Sequence, residues 1–275
     1  MQNKPILVIG STGKTGQRIA RTLEERGFPV RPGSRNAKIP FDWEKPETWA
    51  PALKGVSSVY VSYFPDLAVP GAEAQIEALT KVAAEAGIKR LVLLSGRGET
   101  HARNCETIVR NSGLDYTLVR ASWFAQNFSE GYLRDPILDG AIALPAGAVR
   151  EPIVDIDDIA GVAVAALTEE HHSRELYEVT GPRLLSFDEA AAELAAAIGR
   201  PVRYIPITFD QFHESITRIA GTFIADVFTG ICRETLDGRN QYIGDGVQRA
   251  LGRPPRDFAD FCRDAEASGV WRQAA

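Results

Sequence analysis

Through the first half of the chain, short apolar runs alternate with longer stretches of mixed polarity. The runs at 5–10 (PILVIG), 28–35 (FPVRPGSR), 39–43 (IPFDW), 56–64 (VSSVYVSYF), 90–96 (RLVLLSG) and 116–122 (YTLVRAS) are rich in branched and aromatic residues, as buried strands are. Between them, 15–27 (TGQRIARTLEERG), 47–55, 71–87 and 100–113 carry helical spacing. In 71–87, Ile76, Leu79, Val82 and Ala83 fall on one face. Strands joined by whole helices need crossover connections, so this order predicts a doubly wound α/β fold. Its sheet is parallel, with helices on both faces.

The second half is less regular. A helix opened by acids is expected at 155–168 and a strand at 175–181. At 186–199, Ser186 and Glu189 form a capping box and Gly199 a C-terminal stop. Thr208 and Gln211 repeat the box at 208–216, and 222–238 and 256–269 read as further helices. No repeat and no linker of biased composition interrupts the chain.

Composition narrows the partners. The 275 residues are 44% apolar and 24% charged, ordinary for a soluble globular protein, and the net charge of −5 speaks against a dedicated nucleic-acid binder. Cys105, Cys232 and Cys262 are odd in number and far apart, which suits reduced thiols rather than a disulfide framework or a CxxC metal site. The first apolar run is too short for a signal core, and no segment approaches a membrane span of about 20 apolar residues. The expected location is cytoplasmic and the expected partner a small molecule, with a homodimer left open.

The stretch LVIGSTGKTGQRIA (7–20) admits two readings. Gly13-Lys14-Thr15 ends a triphosphate P-loop, but that motif needs glycine five residues earlier, where Val8 stands within the strand. Gly10, Gly13 and Gly16 instead sit at a strand-to-helix turn, as a dinucleotide site requires. Gly10 makes the turn, Gly13 lets main-chain amides approach a diphosphate, and Gly16 lets the helix lie close on the sheet. Lys14 and Thr15 add a charge and a hydroxyl.

At the tip of the second strand, NAD enzymes place an acid about 20 residues past the turn. Here the tip carries Arg31, Ser34 and Arg35, with no acid before Asp42. A guanidinium suits a 2′-phosphate, so NADP(H) is expected rather than NAD(H). Asp42, ending the expected third strand, either accepts from the adenine amino group or caps the segment after Trp43.

The stretches GSTGKTG, GIKRLVLLSG, SGLDYTLVRASWFAQNF, VDIDDIAGVAVAAL and VTGPRLLSFDEAAAELAAAIGRPV resemble the NmrA-like branch of the atypical short-chain dehydrogenases along nearly the whole chain. FDWEKPETWAPALKGVSSVYV and SWFAQNFSE are similar to the group containing the festuclavine and agroclavine dehydrogenases. The resemblance implies a Rossmann dinucleotide-binding domain at 1–150, a return segment at 151–180 and a smaller, helix-rich substrate-capping part at 181–275. It implies that Gly10, Thr12, Gly13, Lys14, Thr15 and Gly16 hold the phosphates and Arg35 the 2′-phosphate. Tyr63, Phe64 and Pro65 would line the ribose side, with Ser95, Gly96 and Arg97 where the nicotinamide lies. Ala121, Ser122, Trp123, Phe124 and Asn127 would wall the nicotinamide and substrate.

Two departures bear on chemistry. None of the seven tyrosines has lysine four residues on, so the usual Tyr-x-x-x-Lys acid is missing. Where many NmrA-like proteins carry a lysine, GETHARNCE supplies His101 and Arg103. His101 is then either the proton donor or an exposed histidine at a helix start. His171 and His172 read as solvated, His213 is remote, and no metal site is expected. Trp123, Phe124, Phe128, Tyr63 and Phe212 or Phe223 are candidates to stack on a flat acceptor; Trp123 and Phe124 suit a core equally well. These readings imply an NADP(H)-dependent oxidoreductase passing hydride to a small electron-poor cyclic acceptor (quinone, iminium or dye-like). The alternative is a non-catalytic NAD(P)-binding redox sensor.

Overall fold

The computed structural model describes residues 4–272. Along the chain run β1 (Ile6–Ile9), α1 (Lys14–Glu25), β2 (Val30–Gly33), α2 (Trp49–Leu53), β3 (Ser58–Val61), α3 (Ala72–Glu85), β4 (Arg90–Gly96), α4 (Thr100–Asn111) and β5 (Asp115–Ala121). Then follow α5 (Arg134–Leu138), β6 (Ala141–Leu144), β7 (Arg150–Glu151), α6 (Ile156–Thr168), β8 (Glu175–Val179), β9 (Leu185–Ser186), α7 (Phe187–Ile198) and β10 (Arg203–Pro206). The chain ends with α8 (Phe209–Ala220), α9 (Thr222–Thr235), α10 (Gly246–Leu251) and α11 (Phe258–Ala267).

Six parallel strands form the main sheet in the order β2-β1-β3-β4-β5-β8. Successive strand residues point to opposite faces, and both faces are buried. Leu7, Ile9, Val59, Val61, Leu91 and Leu93 meet α2, α3 and α4 on one side. Ile6, Val8, Tyr60 and Val92 meet α1 and α6 on the other. Chain direction across the sheet reverses between β1 and β3, which leaves a crevice at the carboxyl ends of these strands. No helix among the described residues is long and apolar enough to cross a membrane.

A third core gathers Phe128, Ile137, Leu144, Phe187, Leu194, Phe212 and Trp271 around α5, α7, α8 and α11. It holds residues from both sides of the expected division, since Ala125–Leu144 pack here while Val247 and Ala250 of α10 return to the sheet. The capping boxes at Ser186 and Thr208 are both formed, and Gly199 stops α7 with φ +74°.

The expected strand at 39–43 is absent. Phe41 N–H turns back to the Ser34 carbonyl at 3.0 Å, and Pro40 has no N–H for a ladder. The run is apolar for another reason: Phe41, Trp43 and Trp49 form an aromatic cluster, with centroids 5.1 to 6.0 Å apart. The strands expected fourth, fifth and sixth are therefore β3, β4 and β5. Unforeseen in the sequence were α5, α10, the parallel pair β6/β10 and the two-residue pair β7/β9.

Candidate active site

The glycine turn lies where expected. Gly10 has φ +77°, in the left-handed region that favours glycine, and its N–H donates to the Gly33 carbonyl at 2.9 Å. That bond holds the turn against the tip of β2. A Cβ on Gly16 would stand 2.1 Å from the Gly10 carbonyl oxygen, so only glycine lets α1 start this close. Gly13 at the N-cap supplies no capping side chain, which leaves the first amides of α1 for an anion. Thr12 and Gly13 are exposed there, and Arg35 stands exposed on the adjacent tip.

Three expectations around this end change. Arg31 donates to the Ala52 and Lys54 carbonyls, at 2.8 and 2.6 Å, and so closes α2 instead of facing a 2′-phosphate. Asp42 ends no strand and caps no helix; its carboxylate accepts from Glu44 N–H at 3.1 Å in a local turn, while the helical segments after Trp43 start from Lys45 and Thr48. The Thr15 hydroxyl is held by Tyr60, whose OH donates to it at 2.9 Å.

From Lys14 and Thr15 a cleft of about 280 Å³ runs across the carboxyl ends of β3, β4 and β5. Lys14 donates its ammonium to Asn127 Oδ1 at 2.8 Å. Burial draws its pKa down to about 8, against the pull of Glu130 and with the push of Arg18. Tyr63 and Pro65 line the cleft, whereas Phe64 between them is 66% exposed and faces outward. Ser95 lines it too, its hydroxyl donating to Glu106 at 2.7 Å, and Gly96 follows. On the far wall Trp123, Phe124 and Asn127 converge, Trp123 meeting Phe187 edge-on at 5.5 Å. Ala121 and Ser122 complete it; the Ser122 hydroxyl donates to the Pro152 carbonyl at 2.6 Å.

Arg97, expected where the nicotinamide meets the substrate, is only 2% exposed. Its guanidinium donates to the Asn240 and Tyr242 carbonyls at 3.4 and 3.1 Å and stacks 4.1 Å over the Tyr242 ring. It is a strut between the end of β4 and the segment after α9, with one flank on the cleft.

Several expected residues lie elsewhere. His101 is not in the cleft lining; its Nδ1 sits 2.6 Å from Glu73, between α3 and α4. Phe128 is buried against Phe258, and Phe212 against Tyr132, both in the third core, while Phe223 is 64% exposed. His172 is buried rather than solvated, with Nδ1 2.8 Å from the Tyr177 hydroxyl. Donor atoms of Glu169, His171 and His172 lie within 4.8 Å of one another, but at the end of the sheet opposite the cleft.

The structure adds aromatic and acidic residues that sequence reasoning missed. Tyr132 and Phe228, 5.4 Å apart, and Ile231 and Cys232 roof the cleft from the third core. Asp66, Glu99 and Glu151 also line it, and Glu151 is pushed up to about 8 by burial despite Arg97 nearby. Only the Pro-Asp following β3 hinted at any of these, since isolated acids read as surface in a sequence.

Fold and turn together define a Rossmann-type, NAD(P)-binding protein. Residues 2–234 match the NmrA-like family, and the chain belongs to it. It is 32% identical to an NAD(P)H azoreductase of Xenophilus azovorans, over 94% of this chain and 96% of that protein. It is 28% identical to agroclavine dehydrogenase of Claviceps fusiformis, over 97% and 98%. The triphenylmethane reductase of Citrobacter sp., solved with NADP(H), has the same fold, with a TM-score of 0.75 at 22% identity over 95% of this chain and 99% of that one.

Proposed function

We propose that the cleft holds the nicotinamide end of NADP(H) and serves the reduction of a small, flat, electron-poor acceptor. At the coarser level the protein is an NAD(P)H-dependent oxidoreductase of the NmrA-like family. The observation that carries the finer reading is continuity. The uncapped turn at the head of α1 is bonded through Gly10 to the end of β2, just before exposed Arg35, and Lys14 and Thr15 of the same turn line the aromatic-walled cleft.

The residues present suit the dinucleotide. Gly10, Thr12, Gly13 and Gly16 form the bare turn for the diphosphate, with Lys14 and Thr15 beside it, and Ser34 and Arg35 take the 2′-phosphate. Asp42 flanks the adenine side. Tyr63 and Pro65 border the ribose, Ser95 and Gly96 the nicotinamide. When bound, the cofactor supplies a hydride. Trp123, Phe124, Tyr132 and Phe228 hold the acceptor flat and keep water out, and Asn127 and Arg97 set its polar edge. Residues 1–150 with 151–180 thus carry the dinucleotide, and Phe228, Ile231 and Cys232 of 181–275 supply the roof together with Tyr132.

The test is NADPH oxidation against azo dyes, quinones, triphenylmethane dyes and cyclic iminium ions, with Arg35→Asp as cofactor control. Turnover of at least one class is expected. Tight cofactor binding without any turnover would overturn this reading in favour of a redox sensor.

A further inference from the structure

With His101 outside the cleft, the proton that accompanies hydride needs another source. Asp66, after β3, and Glu99, between β4 and α4, both line the cleft as neighbouring buried acids, each of which shifts the titration of the other. Two buried carboxyls so placed favour holding one proton between them, because like charges disfavour the doubly ionised pair. Asp66 Oδ1 already accepts the Ala68 N–H at 2.8 Å, a contact that favours its ionised form. Glu99 is 7% exposed and its Oε2 finds no partner. The shared proton therefore belongs on Glu99.

The placement of Glu99 is equally specific. It stands at the N-cap of α4, yet its side chain makes no capping bond. The carboxyl instead folds over Gly96, where a Cβ would lie 2.2 Å from Oε2. The bare last residue of β4 thus makes room for an acid at the carboxyl end of the sheet, in the cleft that Trp123 also lines. Burial, then the charges of Asp66, Glu234 and Glu106, hold the Glu99 pKa well above the usual carboxyl range.

Other charged groups around the pair are accounted for. Glu106 on α4 is tied to Arg120 and Ser95, and Glu234 on α9 accepts the Thr100 N–H at 2.8 Å. Arg239 donates to the Gly98 carbonyl at 2.9 Å, His101 pairs with Glu73, and Arg97 with Glu151 lies along the same cleft.

We propose that Glu99, oriented by Asp66, is the proton donor of the reaction, and that the group reduced in the acceptor is uncharged, such as an azo or quinone group. This rests on the reductase reading above. Reduction of such a group by hydride from the bound dihydronicotinamide leaves one nitrogen or oxygen electron-rich. Glu99 gives that atom its proton: the carboxyl O–H bond breaks, an N–H or O–H bond forms, and water later restores the proton. One hydride and one proton enter the product. Glu99 is the catalytic residue and Asp66 a positioning residue.

Three measurements test this on the whole protein. Infrared difference spectra of the cofactor-free protein at pH 7 are expected to show a protonated carboxyl band that Glu99→Gln removes; its absence from the wild type overturns the proposal. In steady-state assays Glu99→Gln is expected to lower kcat for methyl red by at least ~10²-fold more than for the malachite green cation, which needs no proton. NADPH affinity, read by fluorescence, reports that the variant is folded and loaded. Asp66→Asn removes the neighbouring negative charge, so the alkaline limb of the methyl red pH profile is expected to move to lower pH. Equal losses on both dyes, or wild-type turnover of the cation alone, overturn the donor. A wild type that binds NADPH and reduces neither dye overturns the reductase reading and the donor with it, whatever the infrared band shows.

Discussion

Lys14 couples cofactor binding to pH. Its ammonium is half-buried on Asn127, and burial brings its pKa down to about 8. A phosphate beside it restores the charged form, so in the bound state its pKa rises. Below pH 8 the lysine is charged in both states and affinity is flat. Above pH 8 the free protein loses a proton that binding must return, and NADPH affinity is expected to fall about tenfold by pH 9. Calorimetry from pH 7 to 9.5 measures the slope, and Lys14→Met should flatten it while weakening binding at pH 7. Arg35 makes a separate prediction. Arg35→Asp is expected to raise the Kd for NADPH by ~10²-fold with little change for NADH, because only NADPH carries the 2′-phosphate. Equal losses for both cofactors would place its charge on the diphosphate.

Among the elements, α1 is the one whose position admits least change. A methyl on Gly16 would overlap the Gly10 carbonyl, and backbone on both sides leaves nothing flexible to give way. Gly16→Ala is therefore expected to cost about 2 kcal/mol in urea unfolding and to weaken NADPH binding together with it. Loss of affinity at full stability would show that the helix shifts without cost. This turn was legible in the sequence because its requirements are local: strand, glycines and helix are contiguous. The sheet was legible for a related reason, since burial on both faces turns the central strands β1, β3 and β4 into nearly unbroken apolar runs. Residues 39–43 misled because aromatic packing and strand burial leave the same mark on a short segment. Phe128 and Phe212 looked like stacking surfaces, yet the third core absorbs them, while Tyr132 reaches the cleft from the turn before α5 and Phe228 from α9, far along the chain. Strand β6 pairs with β10 across α6 and α7, and β7 and β9 have two residues each, below what periodicity resolves. Most of the cleft's acids were illegible, because their partners are fixed only by the tertiary fold.

At the scale of the whole molecule, the segment after α9 straps the third core onto the main sheet. Asn240 donates to the Arg97 carbonyl at 3.1 Å, Gly244 N–H donates to the Thr180 hydroxyl at 3.1 Å, and the Tyr242 hydroxyl donates to Glu178 at 3.2 Å. Arg97 is the cation beneath this strap, and Glu151 on β7 is the acid that shares its surroundings. Glu151 Oε1 has no hydrogen-bond donor, and burial holds its pKa near 8 against an ordinary value of 4.5. The sign of its effect follows. Below pH 4.5 it is protonated folded and unfolded alike, and contributes nothing to pH dependence. Between 4.5 and 8 the unfolded chain releases the proton that the fold retains, so stability falls as pH rises; above 8 the full penalty stands. Glu151→Gln is accordingly expected to stabilise the protein by up to about 4 kcal/mol at pH 9 and to match the wild type near pH 4. Urea melts at the two pH values measure this, and a difference independent of pH would assign the effect to packing. The sign matters for the strap: a wild type that weakens toward pH 9 while the variant does not would show that the joint between sheet and third core carries an acid at the expense of stability. Such a cost is expected where a group faces a ligand, and Glu151 faces the cleft.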